Sequence, residues 1–242
     1  MSYWQATRHP APCLLFLAPL LIAYEVGVLS LGGEQALSLR NGADAWLRDG
    51  FATVGLRHPV IAPLAVVLML TVWFLRQRDT IPEDAPNLCL GMAIESVAGA
   101  LVLWGLSRLY SPLLDQLGLA LSIPPADPPV MSTAVFGQVV TYVGAGIYEE
   151  VVFRLALFGL LKGVLKTAQI PPRMAVVLAA LASATLFAAA HHIGPHGEQI
   201  DGFNFLFRVL AGLYFTALYQ FRGFGIAVGA HACYDVLVGI HM

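Results

Sequence analysis

Residues 131–165 read MSTAVFGQVVTYVGAGIYEEVVFRLALFGLLKGVL and form a long apolar stretch with charged side chains near its centre. These charged residues are Glu149, Glu150 and Arg154. A charged side chain at the depth of a bilayer costs about 3 kcal/mol on insertion scales. A chain that keeps three of them in one apolar stretch is expected to use them together, and we interpret that use as chemistry.

The composition predicts a membrane protein with several spans. Of 242 residues, 58% are hydrophobic and only 12% are charged, whereas soluble domains carry about 25% charged residues. The net charge of -2 and the lack of a basic cluster give no indication of a nucleic-acid partner. Cys13, Cys89 and Cys233 are scattered through apolar runs, which predicts neither a disulfide framework nor a cysteine metal site.

The hydrophobic runs predict an all-α, polytopic transmembrane helix bundle with about seven to eight spans, because roughly 20 apolar residues are needed to cross a bilayer. The first span is expected to be retained, since no obvious cleavage site of small residues follows it. The seven spans that the sequence delimits are 11–31, 59–75, 88–110, 131–165, 173–193, 203–221 and 224–241.

The segments between the spans are more polar. Residues 41–57 are too polar to cross, so they are expected to form a loop or an amphipathic helix at the membrane surface. Residues 79–86 predict a linker, and residues 111–130 predict a proline-rich loop. Within the fourth span, a break or a strong tilt is expected near Gly144–Gly146, just before the glutamates.

The spans predict one integrated domain with two parts. Residues 1–130 hold about three spans and their loops, and residues 131–242 hold the helices with the charged motifs. The distribution of lysine and arginine mildly favours an amino terminus on the inside. The protein is expected to be an integral, multi-pass membrane protein, located in the plasma membrane if its host is prokaryotic.

The first motif is the pair Glu149 and Glu150, followed by Arg154. Glu150 and Arg154 are four residues apart and share a helix face, so they are predicted to form an ion pair. Glu149 points about 100° away and is the carboxylate left to face a cavity. Burial makes a carboxylate a better base near neutral pH, so Glu149 is a candidate general base. The alternative is that both glutamates are structural, neutralised by Arg154 and a second cation.

Two histidine motifs follow on later spans. Phe187 and His191 share one helix face, and a neutral His191 ring could hold a water, transfer a proton or bind a metal. His192 could serve in place of His191, and a hydrogen-bonded or interfacial histidine is the alternative reading. His231 and Asp235 are also four residues apart. Asp235 could orient the His231 ring, the pair could bind a substrate oxygen, or it could simply stabilise the bundle.

Three further ionisable residues are expected to lie outside the chemistry. Glu25 and Glu95 occur singly in the first and third spans, where they are expected to be hydrogen-bond partners within the bundle or to lie near an interface. His196 follows Gly194 and Pro195 and is expected in a surface loop.

The order Glu-Glu-x-x-x-Arg, Phe-x-x-x-His and His-x-x-x-Asp on three apolar helices resembles the CaaX protease and bacteriocin-processing family of intramembrane proteases, also called the ABI family. That family includes the type II CaaX prenyl proteases and proteins like lysostaphin resistance protein A. The resemblance covers about residues 131–242, which it identifies as a CaaX-protease-like catalytic core. The interpretation of residues 1–130 is based on composition alone.

The resemblance implies a glutamate-dependent peptidase without a metal or another cofactor. By the family's motifs, Glu149 and His191 would activate the attacking water. His231 and Asp235 would stabilise the oxyanion that forms on the scissile carbonyl. The remaining motif residues would support the site, and they are Glu150, Arg154 and Phe187.

The last motif position has two readings. Some members of the family have Asn where this chain has Asp235. Asn can donate a hydrogen bond to an oxyanion, whereas Asp can do so only when it is protonated. Asp235 is therefore expected either to stabilise the oxyanion or to orient His231.

The leading hypothesis is an intramembrane endopeptidase that hydrolyses a peptide bond of a membrane-associated substrate with water activated by glutamate and histidine. The resemblance implies a lipidated carboxyl-terminal tail, a leader peptide or a sorting tag as the substrate, within or beside the bilayer. One alternative is a zinc-dependent membrane protease with Glu149, His191, His192 and His231 as ligands. Another is a non-catalytic membrane protein for immunity or transport.

Overall fold

The computed structural model describes residues 2–31, 36, 39–77, 82, 84–119, 121, 135–194 and 197–240. The secondary structure of these residues is helical, as the sequence predicts. A π-helical segment, Val151–Phe158, joins the sixth helix to the seventh. The helices are α1 (Tyr3–Ala6), α2 (Pro10–Leu31), α3 (Gly42–Thr53), α4 (Ile61–Gln77), α5 (Ala85–Gln116), α6 (Val135–Glu150), α7 (Gly159–Thr167), α8 (Pro172–Ala190), α9 (Gly202–Arg222) and α10 (Phe224–Ile240).

Several of these helices can cross a membrane. Among the described residues, four helices are long and apolar enough to do so, namely α2, α5, α8 and α9. α4 and α10 are shorter apolar helices, and α6 continues through the π-helical segment into α7 without a gap. The predicted all-α, polytopic bundle is confirmed, and the protein is an integral, multi-pass membrane protein.

α10 is the central helix of the bundle and packs against α5, α6, α9 and α2. Its residues Ile226, Ala227, Val228 and Ala230 have no exposed surface. Close approach depends on small residues, because a Cβ at Gly229 would overlap Ser96 of α5. This packing keeps the part of α10 that carries the histidine motif in the interior of the protein.

Of the break or strong tilt predicted near Gly144–Gly146, the break is wrong, because α6 stays helical through these residues. The two glycines serve close helix packing instead. A Cβ at Gly144 would overlap the ring of Tyr24, and a Cβ at Gly146 would overlap Ala232. A small residue in a span can thus mark a contact between helices rather than a break in one of them.

The irregularity comes after the glutamates, in the π-helical segment. A π turn departs from the regular hydrogen-bond pattern of an α-helix, and such turns occur frequently at functional sites. Within this segment, the carbonyl oxygen of Phe153 accepts a hydrogen bond from Ser183 Oγ of α8 at 2.6 Å. α8 is thereby tied to the chain just past the glutamates.

α5 is longer than its predicted span, 88–110. It begins at Ala85 inside the predicted linker, with Pro86 in the first turn, where a missing N–H costs little. It runs through Pro112 to Gln116 and so takes up the first residues of the predicted loop 111–130. The proline at 112 therefore does not end the helix.

Residues 41–57 form a helix rather than a loop over most of their length. α3 lies there, and Asn41 caps its amino terminus by accepting a hydrogen bond from the Asp44 N–H at 2.9 Å. Ala43 and Asp44 are buried, while Val54 just beyond the helix is exposed. α3 thus packs one side against the protein. It is not among the described helices that are long and apolar enough to cross a membrane.

Glu95 of α5 is paired within the bundle. It forms an ion pair with Arg222 at the end of α9 and accepts a hydrogen bond from the Tyr3 hydroxyl at 3.0 Å. The Arg222 guanidinium also lies 3.8 Å from the centre of the Trp4 ring, so α1 is anchored to the bundle. His196, with its predicted surface loop, lies outside the described residues.

Candidate active site

α6, the π-helical segment and α10 bring five of the predicted residues into one cluster around the ring of His231. Nδ1 of the ring lies 2.8 Å from Oε1 of Glu150. Nε2 lies 3.7 Å from Oε2 of Glu149 and 3.5 Å from Oδ2 of Asp235. We call these residues the site cluster, and its members are Glu149, Glu150, Arg154, His231 and Asp235.

The predicted ion pair between Glu150 and Arg154 is present at the base of the site cluster. Arg154 Nη1 lies 3.1 Å from Glu150 Oε1, and the exposed fraction of both residues is 0%. Arg154 Nη2 also donates to the carbonyl oxygen of Gly212 in α9 at 3.4 Å. Charges buried this deeply are tolerated only when they are paired, and this pair connects the end of α6 and the π-helical segment to α9 through Gly212.

Glu150 also fixes the orientation of the His231 ring. A carboxylate can only accept hydrogen bonds, so Nδ1 of His231 is the donor in the 2.8 Å contact with Glu150. Nε2 then faces the opposite way, toward Glu149 and Asp235. The ring is therefore held so that one nitrogen is engaged in structure and the other is presented to the two remaining carboxylates.

Glu149 is the more accessible of the two neighbouring glutamates. Its side chain is 14% exposed, whereas that of Glu150 is 0% exposed. Its Oε2 faces His231, and its Oε1 accepts a hydrogen bond from Nδ2 of Asn41 at 3.4 Å. Because Arg154 is engaged by Glu150, the Glu149 carboxylate is the one placed to act on a water molecule.

Aromatic rings enclose the site cluster. Phe215 of α9 stacks on the His231 ring with 4.4 Å between the ring centres and 13° between the planes. Phe187 of α8 has its ring centre 6.0 Å from that of His231. The Arg154 guanidinium lies 4.4 Å from the centre of the Phe187 ring, within the range of a cation–π contact. These rings limit the access of water to the polar groups.

His191 lies on the far side of Phe187, at the end of α8. The two rings are perpendicular with 4.9 Å between their centres. Nδ1 of His191 lies 2.9 Å from the Phe187 carbonyl oxygen, which can only accept, so Nδ1 carries the hydrogen and Nε2 is free to accept a proton. Phe187 is thus the side chain that joins His191 to the site cluster.

His192 turns toward the connection between α8 and α9. Its Nδ1 lies 3.0 Å from the carbonyl oxygen of Glu198, and its ring stacks at 6.0 Å from that of Phe205. Neither contact involves the site cluster. His192 is therefore turned away from the site cluster, whereas the His191 ring contacts Phe187, which borders that cluster.

The site cluster holds more acid than base. Its three carboxylates, on Glu149, Glu150 and Asp235, face one guanidinium and one imidazole. Even a protonated His231 ring would leave one carboxylate without a counter-charge, and acids held this close cannot all ionise freely. An excess of acid around a histidine favours the exchange of protons, which is a property of sites that carry out acid–base chemistry.

The described residues do not form the ligand set that the zinc alternative requires. Within the part of the chain that the structure describes, no three His, Cys, Asp or Glu side chains are arranged to hold a metal ion. The four ligands predicted for zinc, Glu149, His191, His192 and His231, all lie in that part, and His192 is turned away from the rest.

Three contacts of the site were missed by the sequence reasoning. The stacking of Phe215 and the acceptor at Gly212 come from α9, which carries no charged motif, and nothing in its sequence singles these residues out. The sequence around Asn41 does contain a signal, because an Asn before Gly-Ala-Asp is a common start of a helix. That signal predicts a cap but not a contact with Glu149.

The comparisons with known proteins agree with the motifs. Residues 131–237 match the family model described as Type II CAAX prenyl endopeptidase Rce1-like. No curated protein and no solved structure matches the chain. The matched residues contain every member of the site cluster as well as Phe187, His191 and Phe215.

Proposed function

Because residues 131–237 belong to the Rce1-like family of type II CAAX prenyl endopeptidases, we propose that the protein is a glutamate-dependent intramembrane endopeptidase. The observation that carries the proposal is the arrangement around His231. One ring nitrogen is held by Glu150, and the other faces Glu149 and Asp235. An attacking water and a carbonyl oxygen can thus meet a base and a hydrogen-bond donor at one place.

In the proposed reaction, Glu149 and His191 activate the water. The Glu149 carboxylate takes one proton from the water, and the free Nε2 of His191 orients the water or relays a proton. The oxygen then forms a bond to the scissile carbonyl carbon. When the carbon–nitrogen bond breaks, the proton held by Glu149 passes to the leaving amine, so that Glu149 ends the cycle as a carboxylate.

His231 and Asp235 are proposed to stabilise the oxyanion. Three carboxylates around one imidazole stabilise the positive charge of a protonated ring, and its Nε2–H would point toward the developing negative charge. Asp235, with a side chain 24% exposed, adds a second donor if it carries a proton. Removing one such donor typically costs about 100- to 1000-fold in rate.

The proposed substrate is a peptide joined to an apolar chain, such as a lipidated carboxyl-terminal tail. An apolar cavity of ≈ 690 Å³ lies between α5 and α9 and includes Leu103, Leu106 and Ala211 in its lining. Ala211 is one helical turn before Phe215, the residue that stacks on His231. An acyl or prenyl chain in this cavity would therefore leave its attached peptide close to the site cluster.

The test is cleavage of a library of membrane-presented peptides, with and without lipid modification, by the purified protein in liposomes. Wild type is compared with Glu149→Gln, and Asp115→Asn serves as a matched exchange of an exposed carboxylate on α5. We expect wild type and Asp115→Asn to cleave lipidated peptides and Glu149→Gln not to, with or without a chelator. Activity lost on chelation would replace the glutamate mechanism by a metal mechanism. Absence of cleavage by wild type would contradict the enzymatic function.

A further inference from the structure

α3 lies outside the residues that match the family model, yet it contacts the site cluster. Asn41, the residue before α3, donates a hydrogen bond from Nδ2 to Oε1 of Glu149 at 3.4 Å. Asn41 is only 8% exposed. Hydrogen bonds of catalytic groups are often long in an enzyme without its substrate and shorten when the substrate is bound, so the length of this contact is compatible with a role in the reaction.

The direction of the Asn41 amide is fixed by the helix that follows it. Oδ1 of Asn41 accepts a hydrogen bond from the Asp44 N–H at 2.9 Å and so caps α3. Because the oxygen of the amide is occupied by the cap, the nitrogen has to point the other way, toward Glu149. The same amide therefore performs two tasks, and a flipped amide would satisfy neither of them.

α3 is itself held rigidly by a second group of buried charges. We call it the α2–α3 charge cluster, and its members are Glu25, Arg40, Asp44 and Arg48. Asp44 has no exposed side-chain surface and pairs with Arg40 at 2.7 Å and with Arg48 at 2.6 Å.

Two tyrosines connect the α2–α3 charge cluster to the neighbouring helices. The Tyr24 hydroxyl donates to Asp44 at 2.8 Å, and the Tyr148 hydroxyl donates to Glu25 at 2.9 Å. Tyr148 immediately precedes Glu149, so the cluster that fixes α3 is tied to α6 at the residue next to the candidate base. Asn41 and Glu149 are thus held from both sides in a fixed relation.

We propose that Asn41 is a positioning residue for Glu149. Its amide holds Oε1 and thereby presents Oε2 of the same carboxylate to His231 and to the attacking water. The inference rests on the proposed function, in which Glu149 is the base. Residues outside the family match would then help to position the catalytic carboxylate, because Asn41 reaches Glu149 only when α3 is packed against α6.

The experiment separates the two tasks of Asn41. Ser and Asp cap a helix about as well as Asn, so Asn41→Ser and Asn41→Asp keep the cap. Ser is too short to reach Glu149, and Asp brings a like charge to it. Asp49→Asn, an exposed change on the same helix, is the control. kcat, KM and Tm are measured for each variant in the same liposome or detergent preparation.

We expect kcat to fall about 10-fold in Asn41→Ser and more in Asn41→Asp, as for the loss of a hydrogen bond to a charged group. KM should stay close to the wild-type value, and Tm should fall by no more than about 2 °C, since the cap is kept and only the hydrogen bond to Glu149 is lost. A kcat equal to that of Asp49→Asn, or a kcat that falls only together with a much larger loss of Tm, would overturn the positioning role.

A second measurement tests the hydrogen bond between Asn41 and Glu149 without any substrate. Tm is determined for Asn41→Ser, Glu149→Ala and the double variant. If the two side chains interact, the two single shifts fail to add in the double variant by about 2 °C, and additive shifts would overturn the inference. If wild type cleaves nothing, the proposed function fails while this cycle still tests the link between Asn41 and Glu149.

Discussion

Two groups of charges in the described part of the protein, the α2–α3 charge cluster and the site cluster, differ in their composition. In the α2–α3 charge cluster, two carboxylates meet two guanidiniums, and Glu25 is paired with Arg40 at 3.3 Å and with Arg48 at 3.0 Å. In the site cluster, three carboxylates meet one guanidinium and one imidazole. The first group satisfies its charges internally, whereas the second has more carboxylates than cationic side chains.

Buried charge alone therefore does not mark an active site in a membrane protein. Arginine keeps its charge under all ordinary conditions, so a group built from Arg and carboxylates is a fixed structural support. A group that contains His and an excess of acid can gain and lose protons. The two groups should accordingly respond to mutation in opposite ways, one in stability and the other in activity.

The largest expected effect is on activity, from Glu149→Gln. We expect the rate of peptide cleavage to fall by at least about 100-fold, the contribution typical of a general base. Stability should hold or rise slightly, because the change removes one of the acids in excess. Cleavage assays and thermal unfolding of the same preparation measure both quantities. A large drop in Tm would show that the site cluster is a structural support like its neighbour.

The next effect is on stability, from Asp44→Asn in the α2–α3 charge cluster. This change removes the buried partner of Arg40 and Arg48, which keep only Glu25, and breaking a buried pair costs up to about 3 to 5 kcal/mol. The free energy of unfolding in detergent measures the loss, and Asp49→Asn on the exposed side of α3 should leave it unchanged. Equal stabilities of Asp44→Asn and Asp49→Asn would contradict a structural role of the α2–α3 charge cluster.

A comparison of two variants at Asp235 separates the two readings of that residue. Asp235→Ala should lower the cleavage rate by about 100- to 1000-fold if the residue donates to the oxyanion. Asp235→Asn should keep most of the activity, because its amide N–H can make the same hydrogen bond. If Asn is as damaging as Ala, Asp235 orients His231 through its negative charge instead.

The smallest effect is expected from Phe215→Leu. The change removes the stacking on His231 but keeps an apolar side chain, and aromatic stacking contributes about 0.5 to 1.5 kcal/mol. We expect a decrease in kcat of about 3- to 10-fold with little change in KM, measured on the peptide found for wild type. Phe221→Leu, an exposed change at the end of the same helix, should have no effect.

The sequence predicts those parts of the site that depend on spacing along one helix. Glu150 and Arg154 lie four residues apart and form an ion pair, and His231 and Asp235 share a face in the same way. The resemblance to the family model over residues 131–237 also agrees with these motifs, and the apolar runs predict the bundle of helices. All of these depend on local periodicity, which a single sequence contains.

Contacts between helices were beyond the reach of that reasoning. Glu25 meets Arg40 and Arg48 only because a polar segment folds into α3 and docks beside α2, and Asn41 reaches Glu149 only through that docking. The glycines before the glutamates predict a break or a strong tilt, because a sequence does not show which helix packs against them. The roles of the site residues likewise remain predictions until the variants are measured.

The π-helical segment makes the number of residues after the glutamates as important as their identity. A π turn accommodates more residues than an α turn, and each residue of an α-helix turns the chain by about 100°. Deleting a single apolar residue between Arg154 and Phe158 would let the segment relax into an α-helix and rotate α6 relative to α7. Because α6 is packed against α10 and α2, whereas α7 buries no residue, α7 would turn away from α8 while every motif residue stayed in the sequence.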